Sequence, residues 1–242
     1  MSWFESWFDS PYYHILYQHR DDTEAKFFLD NLMKELNLPL SASILDLACG
    51  KGRHSIYLHS KGYKVTGVDL SPESIQAANL AAGDGLNFKV HDMREPIDAV
   101  QYDAIFNLFT SFGYFDTESE NLKVLEAVHQ NLKDEKSVFV LDFMNAAKSV
   151  RNLVLSETKD LQGIRFEIRR LVENRKIIKE IRFSDKGKDY FYTEMVNAYE
   201  LKDFENMFEK AGFEIQKIYG NYALEPFDAL SSDRLIILAK AC

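Results

Sequence analysis

Between residues 43 and 142 the chain runs through five short apolar segments, most of them separated by stretches whose apolar residues recur at helical spacing. The apolar runs fall at residues 43–49, stopped by Gly50, and at 63–68, 86–90, 102–107 and 137–142. Helices are predicted over 53–60, closed near Gly62, over 72–80, opened by Ser71-Pro72-Glu73, and over 118–132. Another is predicted over 24–36, where Phe28, Leu29, Leu32, Met33 and Leu36 share a face. Strands that read as continuous apolar runs are buried on both faces, and strands alternating with helices pair in parallel through crossovers. The expected fold is therefore α/β: a doubly wound, seven-stranded, mostly parallel sheet with helices on both faces.

The pattern changes from about Arg165. Phe166 and Ile168 alternate with charged residues, as do Ile177, Ile181 and Phe183, and Asp185-Lys186-Gly187-Lys188 reads as a turn before a strand over 190–199. Period-two alternation predicts an antiparallel meander with one buried face. A helix over 201–211 capped by Gly212, then strands over 213–219 and 234–239, return the chain to the main sheet. The expected organisation is a single domain over 1–242, with 150–199 as a β insertion after strand five.

Composition limits the partners. The chain holds 29 Lys and Arg against 38 Asp and Glu, a net charge of −9, which disfavours nucleic acid as a ligand because phosphate binding needs a basic face. From Gly163 to Tyr190 the balance reverses locally, with nine Lys or Arg against five Asp or Glu. Cys49 and Cys242 offer neither a disulfide framework nor metal-ligand spacing, so no metal is expected and a reducing, cytoplasmic setting is. The acidic, aromatic start, Trp3-Phe4-Glu5-Ser6-Trp7-Phe8, lacks the segments of a signal peptide, and no run is long enough to span a membrane.

The chemistry concentrates in Ile44-Leu45-Asp46-Leu47-Ala48-Cys49-Gly50-Lys51-Gly52-Arg53. A strand that runs into two glycines and then a helix lets a ligand approach the backbone, and Asp69, 19 residues after Gly50, sits where such folds offer a carboxylate to ribose hydroxyls. The third glycine of a dinucleotide fingerprint is replaced by Ser55, and Asp46 is poorly placed beside a pyrophosphate. It suits an adenosine ligand that carries positive charge.

These segments together resemble the class I S-adenosylmethionine-dependent methyltransferases. Asp46 to Arg53 resembles that family's first motif, Val68-Asp69-Leu70-Ser71 its acidic second motif, and His91-Asp92-Met93-Arg94 the segment that brackets adenine. Phe106-Asn107-Leu108-Phe109 stands at the fourth strand and Asn131-Leu132-Lys133 leads into the fifth. The resemblance implies S-adenosyl-L-methionine as cofactor. Ala48, Cys49, Gly50 and Gly52 would shape the loop around its methionine part, with Asp46 organising that loop or reaching the ammonium. It further implies Asp69 on the ribose, Leu70 against adenine, Asp92 and Met93 on the adenine edge, and Asn107 and Leu108 beneath the sulfonium. Residues 1–40 would form a helical cap, with Tyr13, Tyr17 and Arg20 covering the cofactor or holding its carboxylate. The insertion would cover the active site or form a homodimer contact.

Methyl transfer needs an in-line nucleophile and exclusion of water more than it needs side-chain chemistry. The loop Phe109-Thr110-Ser111-Phe112-Gly113-Tyr114-Phe115 follows strand four, and Ser111 or Tyr114 could accept a proton there. It lacks the Asn/Asp-Pro-Pro-Tyr/Phe pattern of enzymes that methylate planar nitrogens. The expected acceptor is the nitrogen or oxygen of a small molecule. The alternatives are an RNA or protein methyltransferase docking through the basic insertion, and a noncatalytic cofactor-binding module.

Overall fold

The computed structural model describes residues 3–18 and 22–242. Three helices come first, α1 (Trp3–Phe8), α2 (Pro11–Leu16) and α3 (Asp22–Leu36). The alternating region follows as β1 (Ser43–Leu47), α4 (Arg53–Ser60), β2 (Lys64–Asp69), α5 (Pro72–Ala78), β3 (Leu86–Val90), β4 (Ala104–Asn107), α6 (Glu118–Asn131) and β5 (Val138–Met144). After α7 (Ala146–Arg151) come β6 (Ser156–Leu161), β7 (Ile164–Glu173), β8 (Lys176–Asp185) and β9 (Lys188–Asn197). The chain closes with α8 (Leu201–Lys210), β10 (Phe213–Tyr219) and β11 (Arg234–Ala241).

The main sheet has seven strands in the order β10-β11-β5-β4-β1-β2-β3. It is parallel except for β11, which runs antiparallel to both β5 and β10. Neighbouring residues on one strand enter opposite cores: Ile44 packs with Val65, Phe106 and Val140, while Leu45 packs with Ile105, Phe139 and Leu141. That two-sided burial is why the strands carry no polar alternation. Local signals set several boundaries. Ser71 Oγ accepts from Ser74 N at 3.0 Å with Pro72 in the first turn, and Thr117 and Glu120 form a capping box on α6. From β1 the chain winds outward on one side to β2 and on the other to β4, so the carboxyl ends of β1 and β4 flank the crevice where such sheets bind ligands.

The insertion is a separate four-stranded antiparallel sheet, β6-β7-β8-β9. Its first strand escapes the alternation rule because Ser156-Glu157-Thr158-Lys159-Asp160-Leu161 holds one apolar residue, and the short helix α7 precedes it. The inner face of the insertion, Ile164, Phe166, Ile168, Ile181 and Phe183, buries Trp7 and Leu16 of α1 and α2. Trp7 Nε1 donates to Glu194 Oε1 at 2.6 Å and Tyr12 OH to Asp185 Oδ2 at 2.9 Å. α1 and α2 are thus fastened to the insertion, and their other side faces the carboxyl edge of the main sheet.

Candidate active site

Beyond β1 the backbone turns sharply: Ala48, Gly50 and Gly52 all have positive φ, at 58°, 56° and 80°. The loop is pinned from β2, where Cys49 N donates to Val68 O at 2.9 Å and Gly50 N donates to Asp69 Oδ2 at 2.8 Å. Asp69 Oδ1 accepts from Ser71 N at 2.9 Å, so two backbone amides fix this carboxylate. Burial raises its pKa, the amide bonds oppose the rise, and the nearby Asp9 carboxylate adds to it.

These groups open on a cavity of about 380 Å³. Of the residues singled out from sequence, Ala48, Cys49, Gly50, Asp69, Leu70, Asp92, Met93, Leu108, Ser111, Tyr114, Tyr13 and Tyr17 line it. Three others do not. Gly52 packs the loop against the sheet, where an added Cβ would lie 2.6 Å from Phe88 Cζ. Asn107 is wholly buried, its Nδ2 donating to Leu47 O at 3.4 Å while Oδ1 has no protein partner. Asp46 lies beneath the loop, accepting from Ser55 Oγ at 2.6 Å, and burial pushes its pKa up to about 7. Arg20 falls outside the described residues.

The geometry also qualifies individual assignments. Asp92 is gripped by Arg94, with Nη2 at 2.6 Å from Oδ2, and against the upward push of burial this partner holds its pKa below the usual value. Arg94 in turn lies over the Phe115 ring at 4.4 Å. Tyr17 presents its ring to the cavity but its hydroxyl donates to Glu194 at 2.7 Å. Ser111 Oγ donates to Leu108 O at 2.8 Å and Tyr114 OH to Thr110 O at 2.6 Å, so both hydroxyl hydrogens are engaged within the loop. Burial, with the charges of Asp46 and Asp69, keeps the Cys49 thiol protonated, which argues against a nucleophilic role.

Sequence reasoning missed most of the roof. Phe4, Phe8 and His14 line the cavity from α1 and α2, and Phe8 meets Tyr13 and Tyr114 edge-on at ring distances of 5.0 and 5.6 Å. The aromatic density of residues 3–8 was the available signal. Lys51, Arg53, His54 and Phe109 complete a second wall, where the His54 ring stacks on Phe109 at 4.9 Å and Arg53 covers the same ring at 4.9 Å. Burial and the Lys51 charge hold His14 below its ordinary pKa, so its imidazole is neutral at pH 7. Gly52→Ala should cost about 2–3 kcal/mol through the collision with Phe88 and the unfavourable φ, read as a lower midpoint in thermal unfolding.

Comparison with known proteins decides the family. Residues 41–212 match the family described as Methyltransferase domain. The chain belongs to that family. This methyltransferase is 27% identical over 219 residues to a putative methyltransferase, YqeM, of Bacillus subtilis, the match covering 85% of this chain and 87% of the relative. Its fold resembles that of an S-adenosylmethionine-dependent methyltransferase from Clostridium acetobutylicum, with a TM-score of 0.80 at 22% identity over 95% of this chain and 96% of the other. It also resembles the sugar N-methyltransferase KedS8 from Streptoalloteichus, with a TM-score of 0.74 at 19% identity over 95% and 92% of the two chains. Among the described residues of the methyltransferase no helix is long and apolar enough to cross a membrane.

Proposed function

We propose that the protein transfers a methyl group from S-adenosylmethionine to the nitrogen of a small amine. The roofed cavity carries this reading: its floor suits the cofactor, and α1 and α2 close it to the size of a cofactor with a small acceptor rather than a duplex or a folded protein. The cofactor fits the residues present. A Cβ at Gly50 would meet no protein atom within 4 Å, so the glycine leaves open space beside the loop, and Asp69 retains lone pairs on both oxygens beyond the two amides it accepts.

When bound, S-adenosylmethionine supplies a methyl group already activated by its sulfonium. Asp69 accepts from the ribose hydroxyls, Met93 and Leu70 flank adenine, and the Ala48 to Gly50 backbone borders the methionine part. The aromatic roof excludes water, and the loop from Leu108 to Tyr114 borders the space where an acceptor nitrogen lines up. The aromatic rings around the cavity and the Ser111 hydroxyl oxygen suit a cationic amine product better than an anionic acceptor, because ring faces attract cations.

Docking of RNA through the insertion is less well supported. Four cations of the basic stretch, Arg170, Arg175, Lys176 and Lys179, pair with Glu157, Asp203, Asp116 and Glu194. The local excess of positive charge is therefore largely consumed within the protein. Incubation with methyl-labelled S-adenosylmethionine and a panel of amino acids, amino sugars, carboxylates, phenols and RNA tests the reading. Label is expected in a primary or secondary amine, and label confined to phenols, carboxylates or RNA would overturn it.

A further inference from the structure

Phe109 and Thr110, consecutive residues after β4, both adopt left-handed backbone conformations with φ of 57° and 60°. Neither is a glycine or an asparagine, and Thr110 is β-branched, the side-chain type least compatible with positive φ. Something must hold their backbone there, and the residues that reach the turn from the cofactor-binding loop, Arg53 and His54, meet it at the Phe109 ring. The contacts to the two amides and to the Thr110 hydroxyl come from the opposite half of the sheet. Phe109 N donates to Asp142 Oδ2 at 2.8 Å and Thr110 N to Asp142 O at 2.9 Å. Arg234 of β11 bridges both partners, with Nε at 2.7 Å from Asp142 Oδ1 and Nη2 at 3.0 Å from Thr110 Oγ1. Tyr222 OH donates to Asp142 Oδ2 at 3.3 Å.

Asp142 is fully buried and the Arg234 side chain is 17% exposed, so this is an ion pair largely withdrawn from water at the carboxyl edge of the sheet. Replacing such a pair by apolar residues is often neutral for stability, so stability alone does not account for it. What the pair touches is informative: one backbone amide and one hydroxyl of a single strained turn, whose other amide bonds the main-chain carbonyl of Asp142 itself. That turn sets the cavity wall, because Leu108, Phe109 and Ser111 line it and the Phe109 ring carries the stack with His54 and Arg53.

We infer that Asp142 and Arg234 are positioning residues that hold the Phe109–Thr110 turn in its left-handed form, so that the cofactor-facing wall is built before the ligand arrives. The inference rests on the cofactor reading proposed above but on no assumption about the acceptor. The two residues stand 92 positions apart and outside every motif that resembles a cofactor-binding segment.

Thr110 separates positioning from simple packing. Thr110→Val removes the oxygen that Arg234 holds and keeps the branched side chain at positive φ, whereas Thr110→Gly removes the same oxygen together with the steric strain. Titration with S-adenosylhomocysteine and amide hydrogen exchange over residues 108–111 of the unliganded full chain are measured for both. Thr110→Val is expected to speed exchange of the Phe109 and Thr110 amides and to weaken binding by about tenfold, with Thr110→Gly within about threefold of wild type. A side chain that only fills space gives the reverse order, so a loss in Thr110→Gly equal to or larger than in Thr110→Val would overturn the inference, as would wild-type behaviour in Thr110→Val. Arg234→Gln breaks the same tie from β11 and is read in the same way if Thr110→Val does not fold. Wild-type protein that binds no S-adenosylhomocysteine contradicts the cofactor reading instead, and unliganded exchange then decides: unchanged rates in both Thr110→Val and Arg234→Gln overturn the positioning role.

Discussion

Asp69→Ala is expected to weaken S-adenosylhomocysteine binding by at least about tenfold, because a hydrogen bond to a charged group contributes roughly 1.5–3 kcal/mol and this carboxylate is placed to accept two. The effect has two sources. The ribose hydroxyls lose their acceptor, and the amides of Gly50 and Ser71, which Asp69 holds at 2.8 and 2.9 Å, lose theirs. The second loss loosens the loop that borders the methionine part, so the damage extends beyond one contact. Asp69→Asn keeps one acceptor oxygen and should fall between wild type and alanine. Isothermal titration of the three proteins gives the ranking, and equal affinities would remove Asp69 from the ribose.

Asp46→Asn is expected to act in the opposite direction on stability. The Asp46 carboxyl has its pKa raised by burial from 3.8 to about 7, with Ser55 opposing the shift and Asp69 adding to it. Below pH about 4 both folded and unfolded chains carry the proton, and the group contributes no penalty. As pH rises toward about 7 the unfolded chain ionises while the folded chain stays protonated, so stability falls by about 4 kcal/mol and then levels off. Asparagine cannot ionise, and its carbonyl still accepts from Ser55 Oγ. The variant should therefore be more stable than wild type at pH 8, by up to about 4 kcal/mol, and the two should converge near pH 4. Thermal unfolding across this range checks it; a variant less stable at pH 8 would show that the carboxyl is ionised and well paired in the folded state. So costly a group fits a role toward a cationic ligand, since a positive charge above the loop would lower the pKa and draw the carboxylate into use.

The parts of this protein legible in the sequence are those set by neighbours along the chain. The run from Ile44 to Arg53 carries the strand, the turn and the helix start within ten residues, and Ser71-Pro72 caps α5 by the same local chemistry that predicts it. Two-sided burial of β1, β4 and β5 follows from the consecutive apolar residues at their centres, Ile44-Leu45, Ala104-Ile105-Phe106 and Val138-Phe139-Val140-Leu141. The roof was not legible in detail. α1 and α2 are six residues each, too short to show a helical period, and they stand because Trp7 and Leu16 enter a core supplied by residues 164–183. Ser10-Pro11 repeats the capping signal of Ser71-Pro72, with Ser10 Oγ accepting from Tyr12 N at 3.3 Å, and was the one local clue to α2. Similarly, nothing near Asn107 reveals that its side chain is buried below the cavity instead of facing it, or that Arg234 reaches across to Thr110. Those facts belong to tertiary packing.

A crystal structure with S-adenosylhomocysteine bound tests the central claim most directly. The expected result places both ribose hydroxyls within about 3.2 Å of the Asp69 carboxylate, adenine between Leu70 and Met93, and the sulfur toward the loop from Leu108 to Tyr114 with the roof of α1 and α2 above it. A ligand seated elsewhere, or one that leaves Asp69 bonded only to Gly50 and Ser71, would contradict it.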